Sequence, residues 1–329
     1  MASIALDSGF RVNVTDIGAS LVGIQCPEDG GRYTDVLLGC RDAASHWAQT
    51  SHLGALVGRN AGRIRNSLFS IDGEQFLVSP NHGTHHLHGG ETGFTRRHWK
   101  FGSVDPSEPA ISLSLFSPDG DEGYPGNLEV VVTYRLEEPA QLVITINGRS
   151  DKATLFNPTS HGYFNLDGHA TGPISLHVLQ IEADAFTPLD NELIPTGEIR
   201  PISGTPFDFT SPKQIDRDWA GLERGYDHNF VLRSAANSLR RAAILWSPIS
   251  KRRMTVDTDR PCVHLYTGGY LDLATAKDGA AYGPFAGLCL ETQGFPDAPN
   301  HADFPNAFLR PGVNFDSRTI LSFDQEISE

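Results

Sequence analysis

The chain has 329 residues, 39% hydrophobic and 20% charged, with 40 Asp+Glu against 26 Lys+Arg for a formal charge of −14. That composition builds a core and excludes disorder, while the acidic balance makes nucleic acid and anionic membrane surfaces poor partners. No apolar run approaches the roughly 20 residues that span a bilayer, the opening Met1–Phe10 lacks the positive and long apolar regions of a signal peptide, and Cys26, Cys40, Cys262 and Cys289 lie far apart, so the chain reads as cytoplasmic with thiols serving as small hydrophobes.

Counts of 33 Gly and 21 Pro leave little room for long helices. Taken in chain order, Phe10–Thr15 alternates as a strand, and Asp42–Ala48 resembles a helical turn. Ser67–Ile71 and Gln75–Ser79 flank Asp72-Gly73, the strongest short hairpin signal. Leu128–Leu136 and Gln141–Ile146 are separated by Glu137-Glu-Pro-Ala140, a second hairpin. Ile174–Ala183 follows as a strand, then Ser211–Ala220 as a helical turn. Arg253–Thr258, Val263–Thr267, Gly287–Thr292 and Ser317–Phe323 are strands, with helical turns expected at Asn300–Asn306. Many short strands between turn signals predict an all-β fold, a sandwich or barrel. No linker or repeat divides the chain, so residues 1–329 read as one domain with a broad concave face for a ligand.

Several familiar sites are missing. Gly58-Arg-Asn-Ala-Gly62 is followed by Arg63-Ile64 and is no phosphate-cradling loop, and neither a dinucleotide fingerprint nor a G-x-S-x-G elbow occurs. Histidine is what stands out. Six of the 13 cluster in or beside two segments: His82, His85, His86 and His88, then His161 with His169 nearby. Strand alternation would let His86 and His88 share one cavity. No H-E-x-x-H or completing carboxylate supports a metal, and backbone-bonded roles are the expectation for His82, His85 and His86. Two carboxylates add to the set. Glu291 is a single charge within an apolar strand, either solvated on a polar face or buried and paired. Asp227 sits where a turn meets a strand, and spacing alone favours an Asx turn there. Imidazoles and carboxylates in a β scaffold, without a nucleophile or nucleotide motif, suit proton transfer on a small polar substrate. Tyr163, Phe164, Tyr266, Phe295 and Phe304 lie beside these motifs as possible sugar platforms.

Nine segments in order across residues 58–312 resemble the aldose 1-epimerase, or galactose mutarotase, family. They include Gly58-Arg-Asn-Ala-Gly-Arg-Ile64, Leu87-His-Gly-Gly90, Asn157-Pro-Thr-Ser-His-Gly-Tyr-Phe-Asn-Leu166, Leu193-Ile-Pro-Thr-Gly197 and Gly225-Tyr-Asp-His-Asn-Phe230. Leu265-Tyr-Thr-Gly268, Cys289-Leu-Glu-Thr-Gln293, Phe295-Pro-Asp-Ala-Pro-Asn300 and Leu309-Arg-Pro-Gly312 complete the series. The resemblance implies a large antiparallel β-sandwich and interconversion of the α and β anomers of a free monosaccharide such as galactose or glucose. It implies no cofactor and no metal, in a monomer or homodimer. By position, His161 resembles the acid on the ring oxygen and Glu291 the base on the anomeric hydroxyl. His88 resembles a second imidazole near the ring oxygen, and Arg63, Asp227 and His264 resemble sugar ligands.

Three positions depart from the family pattern. Gly62 stands for the usual Asn, Ser160 for a common Asn, and His264 for a sugar-binding Gln. Two other functions fit the same scaffold. A hexose-6-phosphate epimerase would need clustered arginines, for which Arg96-Arg97 and Arg63-Ile-Arg65 are available. A non-catalytic sugar-binding domain would not need the acid and base. Glycoside hydrolysis would require Glu291 and Asp227 to straddle a scissile bond.

Overall fold

The computed structural model describes residues 1–103, 107–219, 221–222, 224–233 and 238–325. Its hairpins form where local chemistry directs them. Asp72 and Gly73 both take left-handed φ (53° and 89°), as a two-residue type I′ turn requires, so Ile71 pairs directly with Glu74. Leu128–Glu137 and Gln141–Ser150 pair in full antiparallel register. Along the first of these, Leu128, Val130, Val132, Tyr134 and Leu136 are buried while Glu129 and Val131 face solvent, the period-two pattern of a half-buried strand.

That hairpin belongs to a nine-stranded antiparallel sheet ordered Lys100–Phe101, Ala110–Ser117, Leu128–Glu137, Gln141–Ser150, Phe315–Gln325, Arg252–Thr258, Arg240–Trp246, Val178–Ile181 and Lys213–Gln214. A five-stranded sheet runs Arg200–Pro201, Ala183–Thr187, Asp227–Leu232, Cys262–Tyr266 and Cys289–Gln293. A four-stranded sheet holds Ala2–Ala5 through Tyr33–Asp35. One apolar core joins all three, with Val12 and Ile24 from the small sheet, Ile144, Val256 and Leu321 from the large one, and Phe230, Leu265 and Leu290 from the five-stranded sheet. The result is the all-β antiparallel sandwich.

Some boundaries differ from the sequence reading. The stretch Ile174–Ala183 is not one strand: Val178–Ile181 joins the nine-stranded sheet and Ala183–Thr187 the five-stranded one. Asp42 caps the helix Ala43–Ala48 through a capping box with Ser45. Within Ser211–Ala220 only a 3₁₀ turn, Ile215–Asp218, follows a two-residue strand, and Ala220 lies outside the described residues. The expected turn at Asn300–Asn306 shrinks to the end of a 3₁₀ turn, Ala298–Asn300, consistent with Pro305 interrupting the segment.

The five-stranded sheet has two different faces. Leu265 pairs with Leu290 and Val263 with Thr292, and Leu265, Leu290 and Val263 turn toward the core. Alternation sends the residues between them, Glu291 and His264, to the opposite face. That opposite face is the floor of the site.

Candidate active site

Three adjacent strands build the floor. Register places Glu291 directly opposite His264, and His264 opposite Asn229. Asp227, two residues before Asn229, shares the face and accepts a hydrogen bond from His264 Nε2 at 2.7 Å. Arg63 Nη1 approaches Asp227 Oδ2 at 3.9 Å. Asp227 is therefore no Asx turn: its side chain is committed to a cross-strand imidazole. Glu291 is only 2% exposed, which removes the solvated-face alternative.

His161 enters from a second element. Strand Thr159–Ser160 pairs with Leu56–Val57, and His161 N–H donates to Ala55 O at 2.8 Å while its carbonyl accepts from Gly54 N–H at 2.9 Å. This double anchorage directs Nε2 to within 3.6 Å of Glu291 Oε1. His88 comes from a third element. Strand His86–Leu87 ends as His88 adopts a left-handed φ of 51°, so strand alternation fails and His86 and His88 do not share a cavity. His86 instead lies buried, Nδ1 donating to Ser79 O at 2.7 Å and Nε2 paired with Tyr124 Oη at 2.6 Å. His88 Nδ1 accepts from Gly62 N–H at 3.3 Å, which leaves the neutral ring's hydrogen on Nε2.

These groups surround a cavity of about 480 Å³ lined by Arg63, His88, His161, Asp227, His264 and Glu291 together with Tyr163, Tyr266 and others, a size suited to a small ligand. All six residues singled out from the sequence meet there. His82 also reaches the wall, contrary to a purely backbone-bonded role, whereas His85 Nδ1 accepts from Asn66 N–H at 3.0 Å as expected. His169 is elsewhere, bonded to Tyr282 and near Asp278. Of the aromatic candidates, Tyr163 and Tyr266 line the cavity, while Phe295 and Phe304 pack on each other in a separate cluster and Phe164 lies in the main core. His52 had no signal in the sequence, standing in a loop without a motif. Its ring packs 4.9 Å from His88 and 5.8 Å from His161.

Electrostatics follow from burial. Burial, opposed by His264 and reinforced by Asp227, pushes the Glu291 carboxyl up to about 7. Burial, with His52 adding to it, pushes the His161 imidazole down to about 3. His264 goes the other way: burial lowers it, but the Asp227 hydrogen bond and charge outweigh that and raise it overall. Asp227 is in turn held well below the ordinary carboxylate range, the His264 bond overcoming burial. Near neutrality His161 is thus uncharged, Glu291 is poised between its two forms, and the His264–Asp227 pair beside them is biased toward its charged form. Glu291 Oε2, His264 Nδ1 and Arg63 Nε are buried without a hydrogen-bond partner. Unpaired polar atoms converging on one cavity are what sugar hydroxyls can satisfy.

The departures from the family pattern separate. Gly62 lines the cavity at φ 76°, with Pro296 Cβ 2.9 Å from where a Cβ would stand. Ser160 faces a small void beside Ile144, Leu290 and Thr319, away from the cavity. Of the arginines proposed for a phosphate, Arg63 lines the cavity, while the others are engaged elsewhere: Arg65 with Asp190 at 2.6 Å, Arg97 with Asp121, and Arg96 with the Glu91 carbonyl at 3.4 Å. Among the described residues no three His, Cys, Asp or Glu are grouped to hold a metal ion, and all four cysteines are free.

A buried carboxylate and an imidazole facing one another across a polar cavity on a β-sandwich define an acid–base site for a small, hydroxyl-rich molecule. Residues 2–322 match the family model described as aldose 1-epimerase. The aldose 1-epimerase of Escherichia coli K12 is 37% identical over 97% of this chain and 94% of that protein, and the human galactose mutarotase is 37% identical over 95% and 91%. Among solved structures, an aldose epimerase homologue from C. elegans superposes with a TM-score of 0.91 at 32% identity, covering 99% of this chain and 98% of that one. Galactose 1-epimerase from Lactobacillus acidophilus gives 0.85 at 30%, covering 99% and 94%. The chain belongs to the aldose 1-epimerase family, carbohydrate-acting isomerases.

Proposed function

We propose that this chain interconverts the anomers of a free aldose, with Glu291 as base and His161 as acid. The observation that carries the reading is the Glu291 carboxylate, buried on the cavity floor with Oε2 unpaired and Oε1 3.6 Å from His161 Nε2. Glu291 takes the proton of the anomeric hydroxyl while His161 gives one to the ring oxygen. The bond from that oxygen to the anomeric carbon breaks and an aldehyde forms. Rotation about the adjacent carbon–carbon bond presents the other face, and ring closure returns both protons. His161 carries that proton only while Glu291 does not, so the pair works with one proton between them, and either tautomer has the same count. His88, with its hydrogen on Nε2, is suited to donate to the ring oxygen. Arg63, Asp227 and His264 hold hydroxyls, and a cation at His264 favours the ionised form of Glu291.

Galactose is the substrate this reading favours, on the strength of the relatives' names, with glucose kept beside it from the family resemblance. The same reading makes residues 1–329 one working unit that needs no cofactor, acting as a monomer or homodimer, and the four free thiols support a cytoplasmic setting. With Arg65, Arg96 and Arg97 engaged elsewhere, a phosphorylated sugar has less to bind. Polarimetry on freshly dissolved α-D-galactose, α-D-glucose, arabinose, xylose, fucose and glucose 6-phosphate tests it. Glu291→Gln keeps shape but cannot take the proton, so turnover should fall by at least about 10², with sugar affinity little changed by calorimetry, and His161→Asn should behave alike. Near-normal turnover in the Glu291 variant would reject the assignment.

A further inference from the structure

The side of His161 that faces away from Glu291 meets an uncommon partner. Its Nδ1 lies 3.5 Å from Cys289 Sγ, both side chains being buried. Cys289 and Glu291 are two residues apart on Cys289–Gln293 and project from the same face. One strand therefore supplies both the group in front of the imidazole and the group behind it. Around the imidazole stand the rings of His52 at 5.8 Å, His88 at 5.3 Å, Tyr163 at 5.1 Å and Tyr266 at 6.5 Å between centroids, and its own backbone carbonyl also bears on it. Tyr163 also bears on the thiol.

Resting on the reading above, we infer that Cys289 is a positioning residue for His161, its S–H holding Nδ1 so that the neutral ring carries its hydrogen on Nε2, toward Glu291 and the cavity. Which ring nitrogen is protonated depends on what the other one bonds. The choice of sulfur has a second effect. A carboxylate behind Nδ1 would add to the modest support that the ring's own backbone carbonyl gives the imidazolium, whereas a thiol is a weak acceptor. The protonated ring therefore gives up its proton readily, as an acid acting on a weakly basic ring oxygen must. Burial keeps Cys289 in the thiol form, its ionisation pushed well above the usual range. The charged groups nearest the ring, Glu291 across from it and His264 with Asp227 beyond, are untouched by a change at Cys289. So are the neighbouring His52 and His88, whereas Tyr163 hydrogen-bonds the thiol and loses that partner in alanine. The displaced titration is therefore read in the serine variant, which can keep that bond.

The test compares Cys289→Ala and Cys289→Ser in polarimetric kinetics and in nitrogen NMR of His161 in the sugar-free protein. Alanine should lower kcat about 10-fold with KM within about twofold, and should change the tautomer signature of the ring. Serine, a stronger acceptor, should recover part of kcat and move the acid-side limb of the pH profile upward. Native kcat and a native ring spectrum in the alanine variant would overturn the inference. So would a loss in alanine that serine neither recovers nor accompanies with a moved limb, since that pattern is packing alone. Should alanine fail to fold, the serine variant's pH limb and ring spectrum decide. If Glu291→Gln keeps its turnover the proposed function falls separately, because the ring spectrum needs no activity.

Discussion

Arg59 and Arg63 lie four residues apart in one short segment, yet only the second lines the cavity. Arg59 is 2% exposed and fully occupied: Nε donates to Ser117 Oγ at 3.0 Å, Nη1 to Pro125 O and Thr154 Oγ1, and Nη2 to the carbonyls of Ser117 and Pro118 at 2.9 Å. Burial lowers it only to about 10, so it stays charged at neutral pH. Arg63 has one carboxylate at 3.9 Å and a buried Nε without a partner. The histidines divide in the same way, His86 bonded at both nitrogens and His88 at one. Residues of the same type, close in sequence, thus separate into those the fold has satisfied and those left for something to satisfy. A saturated polar group maintains structure, and an unsaturated one beside a cavity marks where a ligand belongs.

Replacing both arginines by methionine tests that contrast most severely. Arg59→Met leaves three carbonyls and two hydroxyls without their donor and should lose about 3–5 kcal/mol in urea unfolding, while KM of the folded fraction stays native. Arg63→Met should unfold like the parent but raise KM for galactose about 10-fold or more. If the two variants unfold alike, satisfaction is no guide to role. The next effect lies in pH. With one proton as the working count, Glu291, pushed up to about 7, loses it as pH rises through that value, and His161, pushed down to about 3, takes a second only near that value. The kcat/KM profile, which reports the free enzyme, should be level between these limits and fall about tenfold per unit above the upper one. A profile rising through pH 7 to 9 would reject the one-proton count. The smallest effect concerns Gly62. Asn tolerates the left-handed backbone, but its Cβ must displace Pro296. Gly62→Asn should reorder KM among galactose, glucose and fucose by about 0.5–1.5 kcal/mol, with little change in kcat. An unchanged order would remove Gly62 from sugar selection.

Much of the scaffold was legible because half-buried strands alternate, and the Asp72-Gly73 turn can close in few ways. What escaped had a physical reason. Ala110–Ser117 alternates its apolar residues with serine, which reads as loop. Arg240–Trp246 carries a bulge between Arg241 and Ala243 that breaks the period. At the site, the floor positions of Glu291 and His264 depend on cross-strand register, which no local spacing encodes. The burial that displaces Glu291 and His161 in opposite directions comes from layers distant in sequence. His88 was legible by resemblance alone, since the left-handed turn that separates it from His86 reverses what strand alternation predicts.

The placement of strand Phe315–Gln325 has a consequence for biosynthesis. It fills the middle of the nine-stranded sheet, pairing with Gln141–Ser150 on one side and Arg252–Thr258 on the other. During translation both neighbours leave the ribosome well before it, each with an open hydrogen-bonding edge, and the layer behind the sugar cavity cannot close until residues 315–325 arrive. For that interval the nascent chain presents two long edges able to pair with another molecule. Closure then joins segments more than 160 residues apart in the case of Val143 and Ile320, the kind of distant pairing that slows folding. The arrival of residues 315–325, and not that of the segments lining the cavity, is therefore the event that completes the sheet, and the chain's yield in a cell should depend on how well those waiting edges are sheltered.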